Sequence, residues 1–119
     1  MADNQKRKKV IFTEFKNSSR FTGILEYSSP LRILGKFNGE IKGKDILEIG
    51  SSAEVEAYIE TTELVVYGKI KGNIVATEGV ELRSGAVLIG NIRTPNLEID
   101  DGVIFEGKCE MEQKKKEVA

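Results

Sequence analysis

One short phrase recurs every 15 to 18 residues between residues 21 and 109: an apolar residue, a spacer, Gly or Ala, a spacer and a second apolar residue. It reads Phe21-x-Gly23-x-Leu25, Phe37-x-Gly39-x-Ile41, Val55-x-Ala57-x-Ile59, Ile70-x-Gly72-x-Ile74, Leu88-x-Gly90-x-Ile92 and Phe105-x-Gly107-x-Cys109. A second phrase precedes the last five copies: Leu31-x-Ile33, Leu47-x-Ile49, Leu64-x-Val66, Val80-x-Leu82 and Leu97-x-Ile99. Alternation with period two sends successive side chains to opposite faces, which is strand geometry. Strands this short cannot bury an apolar face alone, so each unit needs a neighbour stacked on it at about 4.8 Å. Repetition is therefore the architecture: a β-solenoid of about six rungs, with three short strands and three corners per turn.

The small residues Gly39, Ala57, Gly72, Gly90 and Gly107 share one column, where the coil must bend or backbones approach closely. Spacer residues test the register, because side chains in one column lie side by side on neighbouring rungs. The columns read Lys36, Glu54, Lys69; then Asn38, Glu56, Lys71; then Glu40, Tyr58, Asn73, and the first alternates in sign. The extra residues Ser51-Ser52, Ser84-Gly85 and Asp101-Gly102 occupy one equivalent position between the two phrases, as turn formers at a corner would.

At 119 residues the chain holds one domain, read as a basic flexible N-terminal tail over 1–19, a β-helix core over 20–111 and a charged tail over 112–119. A hydrophobic fraction of 39% with only 7% aromatics suits a narrow interior of Ile, Leu and Val. No apolar run reaches membrane-spanning length and no signal peptide opens the chain, so a cytoplasmic protein is expected. The single Cys109 falls in a core column, where a thiol behaves as a small hydrophobe.

The net charge of −1 hides a segregation. Residues 1–20 carry six basic against two acidic residues, a net of +4, whereas residues 21–109 carry nine against fourteen, a net of −5. Lys6, Arg7, Lys8 and Lys9 run into Val10, Ile11 and Phe12, with Phe15 close behind. Charge followed by an apolar wedge suits contact with an acidic partner or the anionic inner face of the cytoplasmic membrane.

Catalytic chemistry finds little support. The chain has no His, which removes Ser-His and Cys-His pairs and His-ligated zinc. No G-x-x-x-x-G-K-[ST] phosphate loop is present, and Asp100-Asp101 reads as part of an Asp-Asp-Gly corner rather than a carboxylate dyad. Glu54, Glu56 and Glu60 share an outer face but have Lys neighbours on adjacent rungs, which argues against a cation site. No catalytic, cofactor or metal site is assigned. Hexapeptide-repeat acyltransferases share a superficial likeness at Gly85-Ala86-Val87-Leu88-Ile89-Gly90-Asn91-Ile92, but they need period six throughout and a His base. Nucleic-acid binding would rest on the basic tail alone, without a basic and aromatic groove.

The tandem rungs, the phrase Tyr67-Gly68-Lys69-Ile70-Lys71-Gly72-Asn73-Ile74 and the terminal run from Leu97 through Asp100-Asp101-Gly102 to Phe105-Glu106-Gly107-Lys108-Cys109-Glu110-Met111 resemble the bactofilin family. That resemblance implies an all-β, right-handed three-sided β-helix between disordered tails. It also implies assembly without nucleotide into non-polar filaments, core joined end to end with core, that act as bacterial scaffolds in cell shape, wall synthesis and positioning of envelope factors. The family's short membrane-targeting motif, Met followed closely by an aromatic residue and Lys, is not matched by Met1-Ala2-Asp3-Asn4.

A solenoid has two open ends that must be capped or used, and no amphipathic helix is available here as a cap. Phe21 and Leu25 lie in the core columns of the first rung; Phe105 and Cys109, with Met111 beyond, lie on the last. These five form the expected polymer interface, Phe21 end to Phe21 end and Phe105 end to Phe105 end, an isologous scheme that yields a filament without polarity. Val87, Ile89 and Ile104 take outward positions on adjacent rungs and form an expected lateral or partner strip. The competing expectation is a non-polymerising adaptor, monomer or closed dimer, that binds a cell-wall enzyme through its tails or rod face.

Overall fold

The computed structural model describes residues 13–15 and 20–111, and these form a parallel β-solenoid without helix. The strands are β1 (Thr13–Phe15), β2 (Arg20–Tyr27), β3 (Leu31–Ile33), β4 (Lys36–Gly43), β5 (Ile46–Ile49), β6 (Glu54–Val66), β7 (Lys69–Leu82), β8 (Val87–Thr94), β9 (Leu97–Ile99) and β10 (Ile104–Met111). Every pairing is parallel, and each joins a strand to its equivalent one turn away. One ladder runs β2, β4, β6, β7, β8, β10, and the other runs β1, β3, β5, β6, β7, β9. Each column is therefore six strands deep, joined by five stacking steps.

The register is the one that the repeated phrases predict. Phe21 pairs with Phe37, Phe37 with Val55, Val55 with Ile70, Ile70 with Leu88 and Leu88 with Phe105. Period-two alternation sends these residues inward, and in the middle rungs Ile33, Ile41, Leu47, Ile49, Ile59, Leu64, Val66, Leu82 and Leu88 are fully buried. The spacer columns also hold, with Lys36 beside Glu54 and Glu54 beside Lys69. Exposed ion pairs across rungs, such as Lys36 to Glu54 and Lys71 to Glu56, both at 3.9 Å, add little stability but disfavour a slipped register.

The corners divide each turn into three sides. At the first, Gly50, Tyr67, Arg83 and Asp100 each donate a backbone bond of 2.8–2.9 Å to the preceding rung, at Ile33, Ile49, Val66 and Leu82. Ser51-Ser52 and Ser84-Gly85 form its turns, closed by Ala53 N–H to Gly50 O (3.0 Å) and Ala86 N–H to Arg83 O (2.9 Å). Ser52 Oγ donates to Leu34 O across the rungs and Ser84 Oγ to Asp101 O. At the second corner Gly23, Gly39, Gly72, Gly90 and Gly107 adopt φ of +140 to +145°, so a single strand folds around the edge. A Cβ on Gly90 would lie 1.8 Å from the carbonyl oxygen of Gly72 one rung below. Ala57 keeps an ordinary φ in this column, and the β6–β7 ladder correspondingly skips Ala57 and Tyr58.

The ladder begins earlier than the phrases do. Thr13–Phe15 pairs with Leu31–Ile33, so the column of second phrases has a sixth member lacking the leading Leu or Val that marks the other five. Phe15, grouped by sequence with the tail, is the residue paired with Ile33, because the edge of β3 offers unpaired backbone groups to any extended segment that follows period two. Lys6, Arg7, Lys8, Lys9, Val10, Ile11 and Phe12, and residues 112–119, lie outside the described residues.

Gly90→Ala combines a backbone collision with a left-handed φ and should destabilise the fold by about 2–4 kcal/mol in urea denaturation. Gly102→Ala, at φ +87° with open space around it, should cost about 1 kcal/mol. Equal losses at the two sites would mean that close approach of the rungs does not decide the glycine column.

Candidate assembly surfaces

An interior rung has a neighbour on each side, whereas among the described residues the last has only one. The consequence is a graded loss of burial along each core column. Leu82 is fully buried but Ile99, stacked on it, is 48% exposed; Thr94 is 1% exposed but Met111 above it is 49% exposed. Leu97, Val103, Phe105 and Cys109 are half-buried, although Val80, Ala86, Leu88 and Ile92 beneath them are buried. These six residues make one apolar plate across the C-terminal end of the coil. Three of its members, Leu97, Ile99 and Val103, lie outside the five residues expected from the sequence, which take the C-terminal end from the Phe105 phrase alone. The signal was available in Leu97-x-Ile99, whose earlier copies mark core positions. Among the described residues β9 pairs only with β7 and β10 only with β8, so their outer edges also present unpaired backbone groups.

The N-terminal end is built differently. Phe21 stacks on Phe37 with ring centroids 5.0 Å apart and planes 9° from parallel, and Leu25 is half-buried above the fully buried Ile41. Tyr27 crosses two rungs. Gly43, its partner in the ladder, leaves space that the ring fills, for a Cβ there would lie 1.9 Å from the phenol carbon Cζ. The hydroxyl then reaches Thr61 Oγ1 at 2.6 Å, and Thr61 donates in turn to the Asp45 carbonyl at 2.7 Å. Thr61 is buried, so this contact satisfies a polar group inside the third corner. Sequence reasoning missed the arrangement because its members sit 16 and 34 residues apart and belong to no shared motif.

The three residues of the expected strip differ in exposure. Ile104 pairs with Val87 in one outward column and Ile89 lies in the next, beside Glu106. Ile104 and Ile89 are 54% and 40% exposed, whereas Val87 is half-buried. In the same two columns the earlier rungs carry Lys36, Glu54, Lys69, Asn38, Glu56 and Lys71, so the face changes from charged to apolar towards its C-terminal end. Elsewhere two arginines reach carboxylates on neighbouring rungs: Arg83 binds Asp100 at 3.4 Å and also contacts Glu81 on its own rung, and Arg93 binds Glu110 at 3.1 Å. Asp100 thus belongs to a cross-rung ion pair at a turn. Burial, with Glu110 nearby, pushes the Cys109 thiol up from its ordinary value, away from the reactive thiolate. Among the described residues no helix is long and apolar enough to cross a membrane.

A family model described as bactofilin, polymer-forming cytoskeletal, matches residues 13–110, from the first residue of β1 to within one residue of the end of β10. The chain belongs to the bactofilin family. Bactofilin BacO of Myxococcus xanthus is 36% identical over 94 residues, covering 79% of this chain and 75% of that protein. Bactofilin BacP of the same organism is 35% identical over 94 residues, and there the match spans only 38% of the longer protein. Among solved structures, the cytoskeletal bactofilin BacA, determined by solid-state NMR, superposes with a TM-score of 0.77 at 21% identity over 91% of this chain and all of that one, a likeness of fold. The bactofilin of Thermus thermophilus, reconstructed by cryo-EM as double helical filaments, superposes with a TM-score of 0.71 at 26% identity over 82% of this chain and 90% of that one.

Burial raises the Tyr27 pKa from 10.0 to about 12, outweighing the bond to Thr61, which acts in the opposite direction. The folded state therefore favours the neutral phenol, so this contribution to stability is present below pH 10 and is lost as pH rises from 10 to 12. Tyr27→Phe should lose about 1 kcal/mol at neutral pH and then show a shallower fall of urea midpoint across that alkaline window than the parent chain. Parallel falls would place the Tyr27 hydroxyl in contact with water.

Proposed function

We propose that this chain is a cytoskeletal scaffold subunit whose solenoids join end to end, C-terminal plate to C-terminal plate and N-terminal end to N-terminal end, into filaments without polarity. The observation that carries this reading is the exposed C-terminal end of the core, where Ile99 and Met111 stand half-exposed directly on the buried Leu82 and Thr94. Burial of apolar surface at roughly 25 cal/mol per Å², together with pairing of the β9 and β10 edges, supplies a driving force that calls for no nucleotide. Membership in a polymer-forming family and likeness to a filament-forming relative support the same reading. The role is structural rather than enzymatic: the filaments organise cell shape, cell-wall synthesis or envelope-associated factors. The basic segment Lys6, Arg7, Lys8, Lys9, Val10, Ile11 and Phe12 recruits an acidic partner or touches the inner membrane face, and Val87, Ile89 and Ile104 mediate side-by-side contact.

The test is negative-stain microscopy with sedimentation of the parent chain, Phe105→Arg and Met111→Arg, with circular dichroism to confirm folding. The parent should form thin filaments, and each variant should stop at dimers held by the N-terminal end. Folded variants that give filaments of normal length would overturn the end-to-end reading, and a parent chain that stays monomeric or a closed dimer would favour the adaptor.

For the lateral strip, bundles seen with the parent chain should separate into single filaments in the Val87→Glu, Ile104→Lys double variant, with filament length retained. Bundling that survives the double change removes the strip from assembly.

A further inference from the structure

Where two C-terminal ends meet, the side chains of the last rung bear on how they meet. A two-fold axis across a three-sided coil passes through one corner and the middle of the opposite side, so two copies have three ways to join. Each sets different side chains opposite one another, and inward residues must face inward residues for the core to continue.

In the first arrangement the axis passes through the Gly107 corner and through Glu98. Ile104-Phe105-Glu106 then runs antiparallel to the partner's Lys108-Cys109-Glu110, and β9 pairs with its own copy. Phe105 meets the partner's Cys109 and Leu97 meets the partner's Ile99, so inward residues face one another throughout. Glu106 falls opposite the partner's Lys108, twice by symmetry, against one like-charge meeting of the two Glu98 side chains. In the second, centred on Phe105, Glu98 faces the partner's Glu110 twice, and Lys108 falls opposite the partner's Asp100, which Arg83 already holds at 3.4 Å. In the third, centred on Cys109, Lys108 faces the partner's Glu110, which Arg93 already holds at 3.1 Å, and the two acidic Asp100-Asp101 turns converge on the axis.

Two features of the subunit select the first. Glu106 and Lys108 are both exposed, and among the described residues neither has an ion-pair partner within the chain. They also flank the corner at matching distances, so that each ends a column whose next position is the other's. Glu106 stands at the head of the column holding Glu56, Lys71 and Ile89, and Lys108 at the head of the one holding Asn73 and Asn91.

We propose that the C-terminal junction is a second copy of this chain related by a two-fold axis through Gly107 and Glu98, with Glu106 of each subunit paired to the partner's Lys108. This register rests on the end-to-end reading. Charge exchange tests it, because a homopolymer that pairs 106 with 108 tolerates the swap only when both positions change. Glu106→Lys and Lys108→Glu should each raise the critical concentration for filament formation roughly ten-fold, since two attractions become two repulsions. The double variant Glu106→Lys, Lys108→Glu should return close to the parent value. A further change, Glu98→Gln, should lower the critical concentration by removing the one like-charge meeting.

Failure of the double variant to recover, or a single variant that assembles like the parent, overturns the register. Oxidised parent filaments that yield a Cys109 to Cys109 cross-linked dimer overturn it as well, because that bond belongs to the third arrangement. A parent chain that stays monomeric overturns both the end-to-end reading and the register, whereas filaments indifferent to the swaps overturn the register alone.

Discussion

Parallel stacking of like upon like is the constraint on which the rest of this molecule depends. A rung of about 17 residues has too little apolar surface to fold alone, so its backbone groups and inward side chains are satisfied only by the rung above and the rung below. The interior therefore has no centre; it is a set of columns, Phe37 to Val55 to Ile70 to Leu88 in one and Ile33 to Ile49 to Val66 to Leu82 in another. Everything that distinguishes one rung from the next must be compatible with a neighbour about 4.8 Å away. The glycine corner is the tightest expression of this, because there the backbone of one rung occupies the space that a side chain on the next would need.

The same constraint creates the apolar plate at the C-terminal end. At the C-terminal end, columns that are buried one rung below expose their last member, without any residue being specialised for contact. Ile99 differs from Leu82 and Met111 from Thr94 mainly in having nothing described above them. In the proposed filament a second copy supplies the next rung. End-to-end growth as proposed would reuse the stacking geometry that the subunit already uses internally.

Much of this was legible in the residues because solenoid periodicity is written in linear order. The phrases in residues 21–109 carried the strand type, the stacking partner, the three-sided turn and the positions of the corners, and the spacer residues Lys36, Glu54 and Lys69 carried the register. The illegible parts are those where the repeat is imperfect or where contact skips a rung. Thr13-Glu14-Phe15 joins the ladder without the apolar lead residue of its equivalents, because an unpaired strand edge accepts backbone rather than side-chain identity. Tyr27 reaches Thr61 across Gly43, a contact that depends on a missing side chain in the rung between. Ala57 stands where glycine is the rule, and only the structure shows that it does so by keeping an ordinary φ and interrupting one ladder.

The sequence by itself determined which residues face inward, which rung stacks on which and that the last copy of each phrase has no successor, since period two and a fixed repeat length leave no freedom in these matters. Only the tertiary structure decided how far each end residue is exposed, that the C-terminal plate extends across Leu97, Ile99 and Val103, and that Glu106 and Lys108, on either side of Gly107, have no ion-pair partner among the described residues. Exposure and pairing are properties of the closed turn, in which residues some ten to eighteen positions apart come together around three corners, and a linear phrase records the order of those residues but not the angle at which the chain brings them round.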